Sequence, residues 1–317
     1  MTAPPGQWAG GALKARSGGS DARPAMKARL WIAAIAVVAV IAAVVVGGAG
    51  AGSRGGALDP VAQAAETTMR AGGAQMSMRG SVSVAGAPGA ITLSGQGSFN
   101  FAADEGTLTM AMGGLPQSLA ARLHGAPLQI TELFKANALY MGSPLFDGRL
   151  PGGARWMRLD LARFQRALGL DPGSLTNGGA NPAQYLEYLK AAGAVTAVVG
   201  RERVRGVPTT HYSARIDLLK AAEAGPGSDR SQVRSTFEKL IARTGVRTLP
   251  VGVWIDRRGL VRKVAIELAM TTAGQRATAS VVTEYHDFGP TPSISVPGGA
   301  EVYDLTDQAL QSLSPAG

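Results

Sequence analysis

His124, His211 and His286 are the only imidazoles in this 317-residue chain. Imidazole is the side chain best suited to moving protons or holding a metal near neutral pH. None of the three has a second histidine or a carboxylate at the spacing that puts two ligands on one helix face, so no zinc site is built. A serine nucleophile needs a sharp strand-to-helix elbow, and no Gly-x-Ser-x-Gly stretch supplies one. The chain has no cysteine, which removes disulfides, thiolate catalysis and cysteine-ligated metals. These residue types point to no enzyme, no metal and no cofactor.

Two further stretches look like fragments of nucleotide chemistry. Asp287-Phe288-Gly289 is the triplet that binds magnesium in protein kinases, and Val264–Glu267 resembles the kinase strand that carries a lysine. The lysine position is Glu267, no His-Arg-Asp loop exists, and the two segments stand in the wrong order. Gly95-Gln96-Gly97 lies inside a strand pattern and opens no helix, so it is no phosphate loop. Glycine there lets a sheet bend sharply or leaves room beneath it. Asp256, Arg257 and Arg258 read as a solvated hairpin turn.

What remains is apolar surface. "LPVGVWIDRRGLVRKVAIELAM" is two alternating runs joined by a turn. Val251, Val253 and Ile255 share one side of the first run; Val264, Ile266, Leu268 and Met270 share one side of the second. The same period-two alternation recurs earlier, in Met76, Met78 and Val82, then Leu93 and Phe99, then Leu108, Met110 and Met112. Such runs separated by turns describe an antiparallel meander with one apolar face. Further strand patterns fall in "PLQITELFK", "NALYMGS" and "ARWMRLDL", and later in "VTAVVGRERVRGVPTTHYSARIDL" and "QRATASVVTEYHDF". Helical patterns fall at "LDPVAQAAETTMRAGG", "LARFQRAL", "NPAQYLEYLKAAG", "SDRSQVRSTFEKLIARTG" and "VYDLTDQALQSL".

That order implies an α+β fold: a strongly curved antiparallel sheet, an unclosed half-barrel, with helices on its concave side. The apolar face is either half of a packed core or the wall of a cavity that holds a guest. Methionine recurs on it, and flexible thioethers suit an adaptable lining. The candidate helices are few and partly alanine-rich.

The formal net charge is +9. Residues 1–54 hold six of the 31 basic and one of the 22 acidic residues, leaving +4 for the remainder. A mildly basic domain without a dense patch does not bind nucleic acid. Leu30–Val46 is continuously apolar, and no charged residue lies between Leu30 and Ser53; that length suits a bilayer-spanning helix. Basic residues before it keep the N-terminus cytoplasmic. The organisation expected is a basic cytoplasmic tail (1–29), a transmembrane signal-anchor or signal peptide (30–52), a linker (53–58), an extracytoplasmic domain (59–310) and a tail (311–317). Cleavage near Ala51 would secrete the domain, and Met26 is an alternative start.

"ARWMRLDL", "NPAQYLEYLKAAGAVTAVVGRERVRGVPTTHYSARIDL", "LPVGVWIDRRGLVRK" and "TEYHDFG…VPGGAEVYDLTD" make the chain similar to the LppX/LprG-type envelope lipoproteins of actinobacteria, which share the LolA/LolB-like fold. The resemblance spans roughly 59–307. It implies an unclosed β-barrel enclosing a hydrophobic cavity for acylated lipids or glycolipids, no catalysis, and a role as envelope lipid carrier working with a transporter or acceptor protein. The family anchors through a lipidated cysteine, which this chain lacks; a retained apolar segment would anchor it by another route. The alternative is an anchored interaction or scaffold domain with a filled core and no ligand.

Overall fold

The computed structural model describes residues 60–313, apart from 87–88, 116, 124–126, 168–196, 224–230, 273–274 and scattered positions between 232 and 244. The apolar segment 30–52, His124 and the helix expected at 181–193 lie outside the described residues. Among the described residues no helix is long and apolar enough to cross a membrane.

Alternation produces strands throughout. The strands are β1 (Gly73–Val84), β2 (Ile91–Asn100), β3 (Glu105–Gly113), β4 (Leu128–Lys135), β5 (Ala138–Gly142), β6 (Trp156–Asp160), β7 (Ala197–Val204), β8 (Val207–Asp217), β9 (Thr248–Asp256), β10 (Val261–Thr272), β11 (Gln275–His286) and β12 (Val302–Asp304). They form one sheet in the order β12-β6-β5-β4-β3-β2-β1-β11-β10-β9-β8-β7. The sheet is curved and unclosed. Every pairing is antiparallel except β12 with β6, which is parallel, so the expected all-antiparallel sheet is corrected at one edge. The cause is connectivity: after β11 the chain crosses half the sheet and enters the far edge from the same end as β6.

Helices among the described residues include α1 (Pro60–Met69), α2 (Gln117–Arg122), α3 (Leu161–Ala167), α4 (Leu218–Glu223) and α5 (Thr306–Leu313). Proline suits the first turn of α1, and Gly72, at φ +87°, ends the segment where a side chain would be strained. The small-residue face Val61, Ala64, Ala65 and Thr68 is buried, which lets α1 lie close against β9 and β10. Thr68 Oγ1 fixes the contact by accepting a hydrogen bond from the Val261 amide at 2.9 Å.

The crossing segment after β11 is held by a buried charge. Glu105, 4% exposed, pairs with Lys135 at 2.9 Å and accepts a hydrogen bond from the Ile294 amide, while Lys135 donates to the Ile294 carbonyl at 2.6 Å. Glu105→Ala therefore removes the lysine's charge partner and the acceptor of the Ile294 amide. It should lower stability by about 1–3 kcal/mol, read as a shift in the urea midpoint at unchanged slope.

Candidate functional site: the apolar face of the sheet

Strand register decides which side chains share a face. Met78, Gly95 and Met110 are successive cross-strand partners, and Ile130 continues that row on β4. On the other side of β1 it continues through Thr283, Val264, Val253 and Tyr212. A neighbouring row runs Met157, Met141, Glu132, Leu108, Gly97, Met76 and Tyr285. Two others join Gly80 to Leu93 and Met112, and Val82 to Ile91. All the apolar residues singled out by alternation thus fall on one side of the sheet.

That side has two unlike halves. Over β1 and β8–β11 it is filled: Met76, Val82, Val251, Val253, Ile255, Val264, Ile266, Leu268 and Met270 are buried in one cluster with Val61, Ala64 and Ala65 of α1, Leu218, Phe237 and Tyr285. Val253 is 0% and Tyr285 1% exposed. Phe237 and Ile241 are helical and pack on this cluster. The paired runs that open the question of a guest, β9 and β10, are therefore covered by the chain's own helices.

Over β2–β6 the cover provided by the described residues thins. Leu93, Leu108, Met110, Met112, Ile130, Met141 and Met157 are only half-buried, as is Met78 on β1. One end of this half is closed by a second cluster, Phe99, Phe134 and Leu161. The rings of Phe99 and Phe134 lie 6.3 Å apart and 19° from parallel. Gly106 makes room for them, because a Cβ there would collide with the Phe99 ring. At Gly97 a Cβ would collide with the Thr107 carbonyl, so this glycine permits close approach of β3. A small pocket of about 10 Å³, the room for one water, is lined by Met76, Phe99, Leu108, Glu132 and Phe134 among others.

Glu132 is the residue that sequence reading passed over. It stands between Ile130 and Phe134 in an alternating strand, a position otherwise apolar, and that misfit was the available signal. Burial pushes its carboxyl above the ordinary range. A folded-state carboxyl raised this way favours folding below the unfolded pKa and loses that contribution as pH rises through the folded value. Wild-type stability should accordingly fall across that interval, and Glu132→Gln should flatten the fall in urea titrations run as a pH series.

The opposite face is polar. A groove of about 370 Å³ there is lined mainly by Ser77, Arg79, Ser94, Gln96, Thr109 and Gln129. Beside it, Arg205 at the β7–β8 turn donates to Glu284 at 2.9 Å and to Ser77 at 2.7 Å. Trp254 stacks on His211 at 3.9 Å, carries Lys263 over its ring at 3.8 Å and donates to Glu202 at 3.0 Å. The Trp254 hydrogen bond is the main reason Glu202 sits below the ordinary carboxylate range. His211 is thereby explained as part of a packed ladder, and His286 bonds its neighbour Asp287 at 2.8 Å. Among the described residues no group of histidines and carboxylates could hold a metal.

No protein-family model matches the sequence. The chain is 31% identical over 163 residues to an uncharacterised 31.2 kDa protein in the rplA-rplJ intergenic region of Streptomyces griseus, covering 50% of this chain and 51% of that one. The chain thus spans about half the length of that curated relative. Among solved structures it is similar to the lipoprotein LppX of Mycobacterium tuberculosis, with a TM-score of 0.40 and 12% identity over 75% of this chain and 100% of that one. LprF from Mycobacterium bovis gives a TM-score of 0.36 and 13% identity, over 77% and 100%. A LolA superfamily protein from Nitrosomonas europaea gives 0.27 and 13%, over 74% and 93%. At these TM-scores the superpositions are loose, and the properties of the apolar face stand on this chain's own residues.

Proposed function

We propose that the chain is an extracytoplasmic lipid- or glycolipid-binding protein, tethered by its apolar N-terminal segment, that carries acylated lipids within the cell envelope. The observation that supports this is the half-covered apolar face over β2–β6, rich in methionine and continuous with a fully packed core. Acyl chains would lie against Met78, Leu93, Leu108, Met110 and Met112, backed by Phe99. The buried members, Met76, Val82, Val251, Val253, Ile255, Val264, Ile266, Leu268 and Met270, would anchor the wall from the packed half of the same face.

The energetics suit a carrier. Each methylene withdrawn from water is worth about 0.8 kcal/mol, so a 16-carbon chain contributes roughly 12 kcal/mol before ordering costs. A membrane offers a similar gain, so exchange between membrane and protein is nearly balanced and needs no catalytic group. A handover partner, transporter or acceptor, would take the lipid on.

The experiment is native mass spectrometry of the exported domain purified from its host, paired with uptake of a fluorescent 16-carbon fatty acid. Co-purifying acylated molecules and saturable uptake are expected. A clean apoprotein that takes up no probe overturns the reading and leaves the scaffold alternative, which the tightly filled half over β8–β11 would then explain.

A further inference from the structure

Glu132 stands out as a half-buried carboxyl on an oily face, where it is costly to the extent that water does not reach it. Its cross-strand neighbours are Leu108 on β3 and Met141 on β5, and Ile130 and Phe134 flank it on the same face of β4. None of these carries charge or titrates. Among the described residues no hydrogen bond or ion pair reaches the Glu132 carboxyl, in contrast to Glu105 on the same sheet, which has both Lys135 and a backbone amide. It borders the 10 Å³ pocket between Met76, Phe99 and Leu108, at the junction of the filled and thinly covered halves. A small polar group carried by a ligand fits there in place of the one water that the pocket could hold.

We infer that Glu132 is the polar anchor of the apolar face, accepting a hydrogen bond from a donor group, best a cationic ammonium, on an amphiphile whose chain lies along β2–β4. This rests on the lipid-binding reading and narrows its ligand class to chains that bear a donor near the carboxyl. A charged donor is favoured because charge-assisted hydrogen bonds are about twice as strong as neutral ones, and a thinly hydrated site strengthens them further. Bulk electrostatics work against this preference: the whole chain is +9, so non-specific attraction would favour anions. Selectivity for a cation therefore reports the local site.

The test is competition by dodecylammonium, dodecanol and methyl dodecanoate against a fluorescent hydrocarbon probe, all below their micellar concentrations, at fixed salt and neutral pH. Dodecylammonium should bind wild type about tenfold or more tightly than methyl dodecanoate, with dodecanol between them. Glu132→Gln should bring the three within about threefold while leaving methyl dodecanoate unchanged, and Glu132→Asp should restore part of the ranking. Head groups that rank alike in wild type, or a ranking that survives Glu132→Gln, overturn the anchor alone. If wild type binds neither the probe nor any competitor, the lipid-binding reading fails and takes the anchor with it.

Discussion

Aspartate at Val253 should abolish cooperative folding, whereas aspartate at Met110 should leave the domain folded and remove its acyl-chain uptake. Both positions are apolar members of one cross-strand row, on β9 and β3. Val253 is 0% exposed at the centre of the cluster under α1. A carboxylate there would be set into an apolar cluster, and an unpaired buried charge costs several kcal/mol, a large part of the 5–15 kcal/mol that holds a domain together. Met110 is half-buried beside Gly95, so a charge can reach water and the cost stays within about 1–2 kcal/mol. The same charge lies across the path proposed for the acyl chain and should lower uptake at least tenfold. Circular dichroism through a urea titration separates the two outcomes, and the fatty-acid assay reads the second. Thr109→Asp, on the polar face next door, serves as control and should do neither. Wild-type uptake by the Met110→Asp protein would remove β3 from the lipid path.

Asp256→Ala should cost about 3–5 kcal/mol, the scale expected when one member of a buried ion pair is deleted. The sequence suggested a solvated turn at Asp256, Arg257 and Arg258, and that expectation needs correction for the first residue. Asp256 is 7% exposed. One of its oxygens accepts from the Arg258 and Leu260 amides at 2.8 and 3.0 Å; the other accepts from Arg262 Nε at 2.7 Å. Arg262 in turn lies 4.7 Å from the Phe288 ring centroid. The carboxylate therefore shapes the β9–β10 turn and neutralises a guanidinium that is itself mostly covered. Arg257 and Arg258 are exposed, as expected. Asp256→Asn keeps an acceptor for the amides and should recover part of the loss. A midpoint shift in urea much smaller than that of a core deletion would show the network to be peripheral.

The division between the two halves of the apolar face explains why some of the site was legible and some was not. Alternation is a local property: once Met76, Met78 and Val82 occupy every second position of a strand, the pleat fixes their common face whatever the partners. The same holds for Leu108 with Met110, and for Val264 with Ile266. At Gly97 the sequence suggested a bend or room beneath the sheet, whereas the structure brings the Thr107 carbonyl against it, a contact between strands that no local pattern records. Glu132 was legible only as an exception to the alternation, because its cost depends on what surrounds it. The turn at Asp256 was misjudged for a related reason. Hairpin composition does not reveal that Arg262 and a crossing segment bearing Phe288 close over it.

Strand order was beyond local reading. β1 pairs with β11 across about 200 residues of chain, and this places the early meander beside the late hairpins with one continuous apolar surface. The insertion of β12 parallel to β6 is likewise a choice among edges that no periodicity records. By itself, then, the sequence determined which residues strands present together and that the surface they make is oily, since side-chain direction follows from backbone geometry one residue at a time. Only the tertiary structure decided which part of that surface α1 and Phe237 cover and which part, over β2–β6, the described residues cover thinly. Coverage is a matter of which distant segments meet, and contacts between segments far apart in the chain leave no periodic mark in either one.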